Sequence, residues 1–220
     1  MATKTALLLG GSGLVGQFCL RSLLEDDHYG KVILLTRRAL PATDPKAKQM
    51  IIDFTKISDL PLDTVDDVFC ALGTTIRKAG SQEAFRNIDL ELPMAAASRS
   101  LEFGARKFIL VSSVDANPKS RNFYLRTKGE LEEKLCSLPF AAIHIFRPSF
   151  LVGAREGPRL GELLGMGLAR LLQFTLIGRL RRYRPIQAAH VGRAMVAAAE
   201  SPRQGRIVYE YDEIRRLAGS

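Results

Sequence analysis

A tyrosine and a lysine four residues apart, Tyr124 and Lys128, are spaced in a way that suits proton chemistry. Residues i and i+4 of a helix share one face, so a helix through this segment would hold both side chains together. An unperturbed tyrosine has a pKa near ~10, which a neighbouring ammonium group lowers toward a useful range. Ser113 adds a hydroxyl that can hydrogen-bond a substrate oxygen. These residues indicate proton transfer at a carbonyl or alcohol, although a lone Tyr–Lys pair also occurs on ordinary surface helices.

A glycine-rich segment near the amino terminus could supply a cofactor for that chemistry. It reads Gly10-Gly-Ser-Gly-Leu-Val-Gly16 and stands between an apolar run and an amphipathic run. A strand, a glycine turn and a helix in this order let the backbone approach a pyrophosphate at the helix N-terminus. An ordinary strand-to-helix turn is the alternative, but this context favours dinucleotide binding. The cofactor-binding residues predicted here are Gly10, Ser12, Gly13, Leu14, Val15 and Gly16.

The residues after the second apolar run indicate which dinucleotide is bound. In NAD-dependent proteins an acidic residue at this strand end commonly bonds the ribose 2′-hydroxyl. This sequence has Leu35-Thr-Arg37-Arg38 instead, which offers no carboxylate there. A guanidinium group pairs well with a phosphate, so Arg37 and Arg38 favour NADP(H) over NAD(H) unless they are simply solvated loop residues.

Short apolar runs alternate with longer amphipathic runs, which is typical of a parallel sheet covered by helices on both faces. We therefore predict an α/β fold with a doubly wound parallel sheet of about seven strands, the Rossmann arrangement. Residues 1–220 are expected to form one domain, with a small irregular substrate-side or lid insertion at 149–187. The predicted strands are 5–9, 31–36, 49–54, 67–72, 107–112 and 141–146, and the predicted helices are 14–24, 81–101, with a kink or break at Pro93, and 123–138.

The bulk composition suits an ordinary globular protein and narrows the choice of partners. The 220 residues are 46% hydrophobic and 25% charged, enough for one domain with a full core. Three scattered cysteines predict neither disulfides nor a metal site, and no leader segment is evident, so a reducing, cytoplasmic location is expected. The net charge of +9 comes without a nucleic-acid recognition motif. We expect a small-molecule substrate, no nucleic acid, no integral membrane association, and a monomer or homodimer.

Taken together, these motifs resemble those of the short-chain dehydrogenase/reductase superfamily. The resemblance covers nearly the whole chain and is greatest to an atypical branch, the Tat-interacting-protein-like oxidoreductases and their bacterial relatives. It implies a nicotinamide cofactor and catalytic roles for Ser113, Tyr124 and Lys128; Ser112 is not the expected serine, because adjacent strand residues point oppositely. The motifs that carry it are Gly10 to Gly16, Cys70-Ala-Leu-Gly-Thr-Thr75 with Lys78-Ala-Gly80, Leu110-Val-Ser-Ser113, Asn122-Phe-Tyr-Leu-Arg-Thr-Lys-Gly-Glu130 and Phe146-Arg-Pro148.

The same resemblance implies further contacts with the cofactor. Lys128 would hold the nicotinamide ribose as well as acting on Tyr124. Asn87 stands near the place of a superfamily Asn-Val-x-Gly-Thr segment, but the residues here run Asn87-Ile-Asp-Leu-Glu91, so a catalytic Asn87 is not expected. The other cofactor-binding residues implied are Asp53 with Phe54 at the adenine, Ala71, Leu72 and Gly73 beneath the cofactor, and Pro148 to Leu151 against the nicotinamide.

Some segments allow more than one interpretation. We interpret the apolar segment 161–178, with the basic run 179–184 after it, as a core, lid or subunit-contact helix in preference to a membrane-touching one. His190 is expected to be structural, and no metal site is expected at His28 or His144. The predicted function is an NADP(H)-dependent oxidoreductase. The alternatives are a non-catalytic NADP(H)-binding sensor and an epimerase or dehydratase that retains its cofactor.

Overall fold

A seven-stranded parallel sheet runs through the computed structural model, which describes residues 3–40, 44–153 and 176–219. The strands are β1 (Lys4–Leu9), β2 (Tyr29–Thr36), β3 (Ala47–Ile51), β4 (Asp67–Cys70), β5 (Lys107–Val111), β6 (Ala142–Phe146), β7 (Leu151–Val152), β8 (Ile186–Gln187) and β9 (Gly205–Tyr209). The strand order is β3-β2-β1-β4-β5-β6-β9, and β7 pairs separately with β8. The strand order reverses between β1 and β4, which is where open α/β sheets bind ligands. The predicted doubly wound parallel sheet is confirmed.

Helices cover both faces of the sheet, because alternate strand residues feed two apolar layers. The layer that contains Leu8 and Leu34 packs against the helices Gly16–Glu25, Ala188–Glu200 and Tyr211–Leu217. The layer that contains Leu7 and Ile33 packs against the helices Leu92–Glu102 and Phe123–Cys136 and the 3-10 helix Phe54–Asp59. The helices are α1 (Gly16–Glu25), α2 (Ile76–Ala79), α3 (Gln82–Arg86), α4 (Leu92–Glu102), α5 (Phe123–Cys136), α6 (Ala188–Glu200) and α7 (Tyr211–Leu217), with 3-10 helices at Phe54–Asp59 and Gly178–Tyr183.

The predicted elements are present, with shifts at their ends. The third strand, predicted at 49–54, ends at Ile51, and a 3-10 helix then begins at Phe54. Strand β9 was not predicted, because its first two residues, Gly205 and Arg206, are exposed and its apolar run is short. The helix predicted at 123–138 ends at Cys136, shortly before Pro139.

The helix predicted at 81–101 is divided at a π-helical turn, Asn87–Glu91, which separates α3 from α4. Within this turn the Leu92 N–H donates to the Asn87 carbonyl, one residue further back than in an α-helix. Pro93 explains the change of geometry: it has no N–H for the carbonyl of Asp89, and its ring would clash with that carbonyl in a regular helix. The predicted interruption at Pro93 is therefore confirmed, in the form of a widened turn.

The predicted insertion at 149–187 is described only near its two ends. There β7 pairs with β8, and the Ser149 hydroxyl donates to the Arg184 carbonyl. Residues 154–175, which include most of the apolar segment 161–178, lie outside the described residues. Within the described ranges, no helix combines the length and the apolar character that a membrane crossing requires.

Candidate functional site

The glycine-rich turn is packed so tightly that Gly10 and Gly16 leave no room for a Cβ atom. Gly10 has φ +80°, and a Cβ there would lie 2.6 Å from the Ala71 carbonyl oxygen. A Cβ on Gly16 would lie 2.0 Å from the Gly10 oxygen. The Gly13 N–H donates to the same oxygen at 2.8 Å, and α1 begins at Gly16. The glycines therefore let the backbone of the turn and the start of α1 come close together at the carboxyl edge of the sheet, as phosphate binding requires.

A cavity of about 1130 Å³ opens beside this turn, at the carboxyl ends of β1, β2 and β4. Such a volume is ample for a cofactor, since small-molecule sites commonly measure ~300–1,000 Å³. It is lined by nine of the residues predicted to bind the cofactor: Gly10, Ser12, Gly13, Arg37, Asp53, Phe54, Ala71, Leu72 and Gly73.

The other predicted cofactor residues do not line this cavity. Val15 and Pro148 are buried, and Arg38 is exposed. Leu14 faces a different neighbour, since a Cβ on Gly153 would lie 3.1 Å from its side chain. Gly16 is the first residue of α1, and Leu151 is part of β7.

Among the residues that the structure describes, two cationic side chains line the cavity, and only one of them, Arg37, was predicted to bind the cofactor. Arg37 follows β2, while Lys78 lies in α2, and both side chains are exposed. Thr75 caps α2 by accepting a hydrogen bond from the Lys78 N–H at 3.2 Å, which fixes the start of this short helix. Lys78 stands in a motif that carried the family resemblance, and that was the signal available for it.

The loop after β5 packs closely against α5, the helix that carries the predicted Tyr124. The Asn117 N–H donates to the Leu125 carbonyl at 3.1 Å. A Cβ on Gly129 would lie 2.2 Å from the Asn117 carbonyl carbon, so only glycine permits so close an approach. Ser113 and Tyr124, on the two sides of this contact, are both half-buried.

Ser112 takes part in a buried charge network. Its hydroxyl donates to Glu132, which is 1% exposed, at 2.6 Å. Glu132 also pairs with Arg147 and, at 3.1 Å, with Arg206. The hydrogen bonds that Arg147 donates to Glu132 raise the pKa of Arg147 above its ordinary value. The Ser112 hydroxyl is therefore occupied by its hydrogen bond to Glu132. Ser113 is the less buried of the two serines.

Tyr124 and Lys128 lie on α5, as predicted, but their surroundings differ. The Tyr124 ring packs against the buried Phe85 ring, with centroids 5.4 Å apart. Lys128 is 3% exposed, and its ammonium nitrogen lies 2.7 Å from Asp89 Oδ1. Burial opposes the charge of Lys128, but Asp89 and, to a smaller extent, Tyr124 outweigh it, so the pKa of Lys128 lies above its ordinary value. Sequence reasoning did not identify Asp89.

The loop after Ser113 is held by residues of the basic run 179–184. Asp115 adopts φ 59°, a left-handed conformation uncommon for a residue with a side chain. Its carboxylate accepts a hydrogen bond from the Tyr183 hydroxyl at 2.9 Å and pairs with Arg182 at 3.1 Å. Part of the basic run 179–184 therefore serves to hold this loop.

The histidines have structural contacts. His144 is buried, and its Nδ1 lies 2.9 Å from the Tyr209 hydroxyl. Contrary to expectation, His28 has acidic neighbours: the potential ligand atoms of Asp26, His28 and Glu200 all lie within 4.8 Å of one another. Asp26 and His28 precede β2 and Glu200 ends α6, so the group lies near the amino end of β2, away from the cavity at the carboxyl ends of the strands.

Comparison with known proteins identifies the family. The chain is 36% identical to protein HTATIP2 of Rattus norvegicus over 169 residues, covering 74% of this chain and 69% of the relative. It is 34% identical to protein FMP52-1, mitochondrial, of Scheffersomyces stipitis over 220 residues, covering 97% and 96%. The chain belongs to the atypical short-chain dehydrogenase/reductase family. No protein-family model matches the sequence.

Solved structures show the fold of this reductase family more widely. The human epimerase family protein SDR39U1, solved with NADPH, matches with a TM-score of 0.64 at 18% identity, covering 94% of this chain and 74% of that chain. UDP-glucuronic acid 4-epimerase of Bacillus cereus, solved with NAD, matches with a TM-score of 0.66 at 16% identity, covering 94% and 77%. The fold is that of NAD(P)-binding short-chain dehydrogenases/reductases and epimerases.

The predicted cytoplasmic location is wrong. The FMP52 relatives from several yeasts are named mitochondrial, which points to mitochondria. The scattered cysteines supported the wrong location, because reduced cysteines do not distinguish the cytoplasm from other reducing compartments.

Proposed function

We propose that the protein is an NADP(H)-dependent oxidoreductase that transfers hydride to or from a carbonyl or alcohol substrate. The observation that carries the proposal is the place of the Lys128 ammonium. A Cβ on Gly73, in the cavity wall, would lie 3.6 Å from the Lys128 nitrogen, and the same helix carries Tyr124. A cation behind the glycine-lined cavity and a tyrosine on its helix are what proton transfer beside a bound dinucleotide requires.

The residues of the cavity fit a dinucleotide along its length. The side-chain-free turn at Gly10 and Gly13 suits the pyrophosphate, and Asp53 and Phe54 line the part assigned to the adenine. The nicotinamide ring, when bound, supplies or accepts the hydride, while the protein supplies binding and orientation. Pro148 and Leu151, on the segment after β6, are proposed to flank that ring.

Selection of NADP(H) over NAD(H) is proposed to rest on Arg37 and Arg38. β2 ends at Thr36 with both arginines exposed directly after it, and Arg37 lines the cavity. No carboxylate stands at this strand end to bond a ribose 2′-hydroxyl, whereas a guanidinium group suits a 2′-phosphate. Lys78 adds a second cavity-lining cation.

The proton is assigned to Tyr124, which acts as general acid in carbonyl reduction and as general base in alcohol oxidation. Lys128 supplies a positive charge on the same helix as Tyr124 and is proposed to hold the nicotinamide ribose. Ser113 orients the substrate oxygen.

The cofactor assignment is tested by replacing Arg37 and Arg38 with alanine and measuring the affinities for NADPH and NADH. We expect NADPH to bind roughly tenfold or more weakly, since charge-assisted hydrogen bonds to the phosphate are lost, and NADH to be little affected. The exposed Arg203, in the loop before β9, provides the control variant Arg203→Ala. Equal losses for both cofactors would refute the assignment.

The mechanism is tested by screening carbonyl substrates with NADPH and comparing the native protein with Tyr124→Phe. We expect turnover to fall by about 100-fold or more while NADPH still binds, because only the proton donor is removed. Unchanged turnover would refute the role of Tyr124. Tight NADPH binding with no turnover on any substrate would favour the alternative function of an NADP(H) sensor, and conversion of a substrate without net cofactor consumption would favour an epimerase or dehydratase.

A further inference from the structure

The buried carboxylate of Asp89 joins three separate elements around the amino group of Lys128. Its Oδ1 lies 2.7 Å from the Lys128 nitrogen, and its Oδ2 accepts a hydrogen bond from the Thr74 N–H at 3.0 Å. Asp89 belongs to the π-helical turn, Thr74 to the segment after β4 and Lys128 to α5. The Asp89 side chain is 0% exposed and that of Lys128 is 4% exposed, so water does not solvate the pair.

The π-helical turn accounts for where Asp89 stands. Pro93 forces the helix to widen over Asn87–Glu91, and Asp89 is the central residue of that turn. Turns of this kind inside α-helices occur frequently at functional sites. The exposed side of the same turn lines the cavity through Asn87 and Glu91, while Asp89 is buried behind the cavity wall.

Asp89 supplies a negative charge within ion-pair distance of the Lys128 ammonium group. The titratable groups that act on Lys128 are Asp89 from the π-helical turn, Tyr124 from its own helix and Cys70 from β4. Burial raises the pKa of the Cys70 thiol to about 11, so this thiol is neutral at physiological pH. An amino group this deeply buried loses its proton readily unless an anion compensates it, and the Asp89 carboxylate lies within ion-pair distance.

We infer that Asp89 is a positioning residue of the proposed reaction, holding Lys128 behind Gly73 as an ammonium ion. This role rests on the proposed function, whereas the ion pair itself does not. Asp89 touches neither the substrate nor the cofactor in this scheme. It acts through Lys128, whose charge and place are what Tyr124 and the nicotinamide ribose require.

The test measures the charge state of Lys128 directly in the full-length protein without cofactor. The ¹³Cε resonance of Lys128, assigned by its loss in Lys128→Arg, is followed by NMR from pH 6 to 11 in the wild-type protein and in Asp89→Asn. Asparagine keeps an oxygen for the Thr74 N–H but removes the charge. We expect no titration in the wild type below the ordinary lysine value of about 10.4, and a midpoint below about pH 8.5 in Asp89→Asn.

A matched control is available at the other end of β4. Asp67 is also buried, and it pairs with Lys4 at 3.0 Å, so Asp67→Asn removes an equivalent charge far along the strand. We expect Asp67→Asn to leave the Lys128 titration unchanged. An Asp89→Asn titration like that of the wild type would overturn the inference. If Asp89→Asn does not fold, the wild-type curve still decides, because a Lys128 midpoint below about pH 9 would show that Asp89 does not hold the charge.

A second measurement connects the ion pair to the site. NADPH affinity is measured at pH 7 and pH 9.5 in the wild type, Asp89→Asn and Asp67→Asn. We expect roughly tenfold weaker binding at the higher pH in Asp89→Asn alone, because only there does Lys128 lose its proton within this range. Equal pH dependence in all three proteins would overturn the positioning role. Failure of the wild type to bind NADPH at any pH would instead refute the proposed function, and the NMR titration would still decide whether Asp89 holds Lys128.

Discussion

Two groups of one lysine, one aspartate and one tyrosine stand at opposite ends of β4, and they use the tyrosine differently. At the amino end, Lys4 pairs with Asp67 at 3.0 Å, and the Tyr29 hydroxyl donates to the same carboxylate oxygen at 2.7 Å. At the carboxyl end, Lys128 pairs with Asp89 at 2.7 Å, but Asp89 takes its other hydrogen bond from the backbone at Thr74. Tyr124 is half-buried there and rests on an aromatic ring.

The contrast shows that the arrangement of these residue types determines what they can do. At the amino end, burial and then the charge of Asp67 raise the pKa of Tyr29 far above its ordinary value, so Tyr29 keeps its proton. Tyr29 is fully buried while Lys4 is partly exposed. At the carboxyl end the burial is reversed, with the lysine enclosed and the tyrosine accessible. The amino-end group stabilises the fold, and the carboxyl-end group lies where parallel sheets hold their ligands.

The largest expected difference between the two ends comes from removing each lysine. Lys128→Met leaves Asp89 buried without its counterion, so we expect a loss of about 3 kcal/mol in unfolding free energy and about 100-fold in turnover. Lys4→Met should cost about 1 kcal/mol or less, because the Lys4 side chain is 36% exposed and Tyr29 still bonds Asp67. Urea unfolding and NADPH-dependent turnover measure both. A loss of turnover in Lys4→Met would remove the functional distinction between the ends.

His144, in the middle of β6, is expected to make the free energy of unfolding depend on pH. Burial, aided by Lys107 and Arg203, lowers the pKa of His144 to about 4. The unfolded chain binds this proton near ~6.5, so the contribution to stability is complete above pH ~6.5 and is lost as the pH falls toward ~4. We expect unfolding free energy to drop by about 3 kcal/mol more across this interval in the wild type than in His144→Gln. Identical pH profiles from urea unfolding would contradict the assignment.

The two tyrosines are expected to differ by a smaller amount in their contribution to the free energy of unfolding. Tyr29→Phe deprives the buried Asp67 of a hydrogen bond, so we expect unfolding free energy to fall by about 1–2 kcal/mol with turnover unchanged. Tyr124→Phe should do the opposite, with stability within about 0.5 kcal/mol of the wild type and turnover largely lost. Both variants are to be measured by urea unfolding and by NADPH-dependent turnover, so that the two roles can be compared directly. If Tyr29→Phe reduced turnover as much as Tyr124→Phe, the proposed division of roles would be wrong.

A structural feature could be predicted from the sequence when the residues that determine it are close together along the chain. The glycine turn and the early strands were predicted because their signals are local: Gly10 and Gly16 flank a turn between an apolar run and an amphipathic one. β9 was not, because its exposed start, Gly205-Arg206, interrupts the apolar pattern. Proline at position 93 signalled an interruption, but no local rule reveals that the resulting turn presents Asp89 to Lys128.

The candidate site divides in the same way. Tyr124 and Lys128 could be singled out because helical spacing alone places them together. Asp89 could not, because its partner lies on another helix and only the packing of α5 on the π-helical turn creates the contact. Ser112 and Ser113 could be told apart by strand alternation, but the reason that Ser112 is occupied, its bond to Glu132, is a tertiary contact.

The smallest change in stability, and the most specific test of the carboxyl end, is expected from Gly73→Ala. A Cβ there would lie 3.6 Å from both Asp89 Oδ1 and Lys128 Nζ, an ordinary contact distance, so unfolding free energy should change by less than about 0.5 kcal/mol. The added methyl group would nevertheless occupy part of the cavity wall, so we expect NADPH to bind about tenfold more weakly. In Gly30→Ala, near the start of β2 at the amino end, the added Cβ would lie 2.3 Å from the Thr3 hydroxyl oxygen, so the Thr3 side chain must move, but NADPH affinity should be unchanged. Wild-type NADPH affinity in both variants would mean that the cofactor does not pass over Gly73. The Lys128–Asp89 pair would then not lie beneath the nicotinamide ribose, contrary to the proposal.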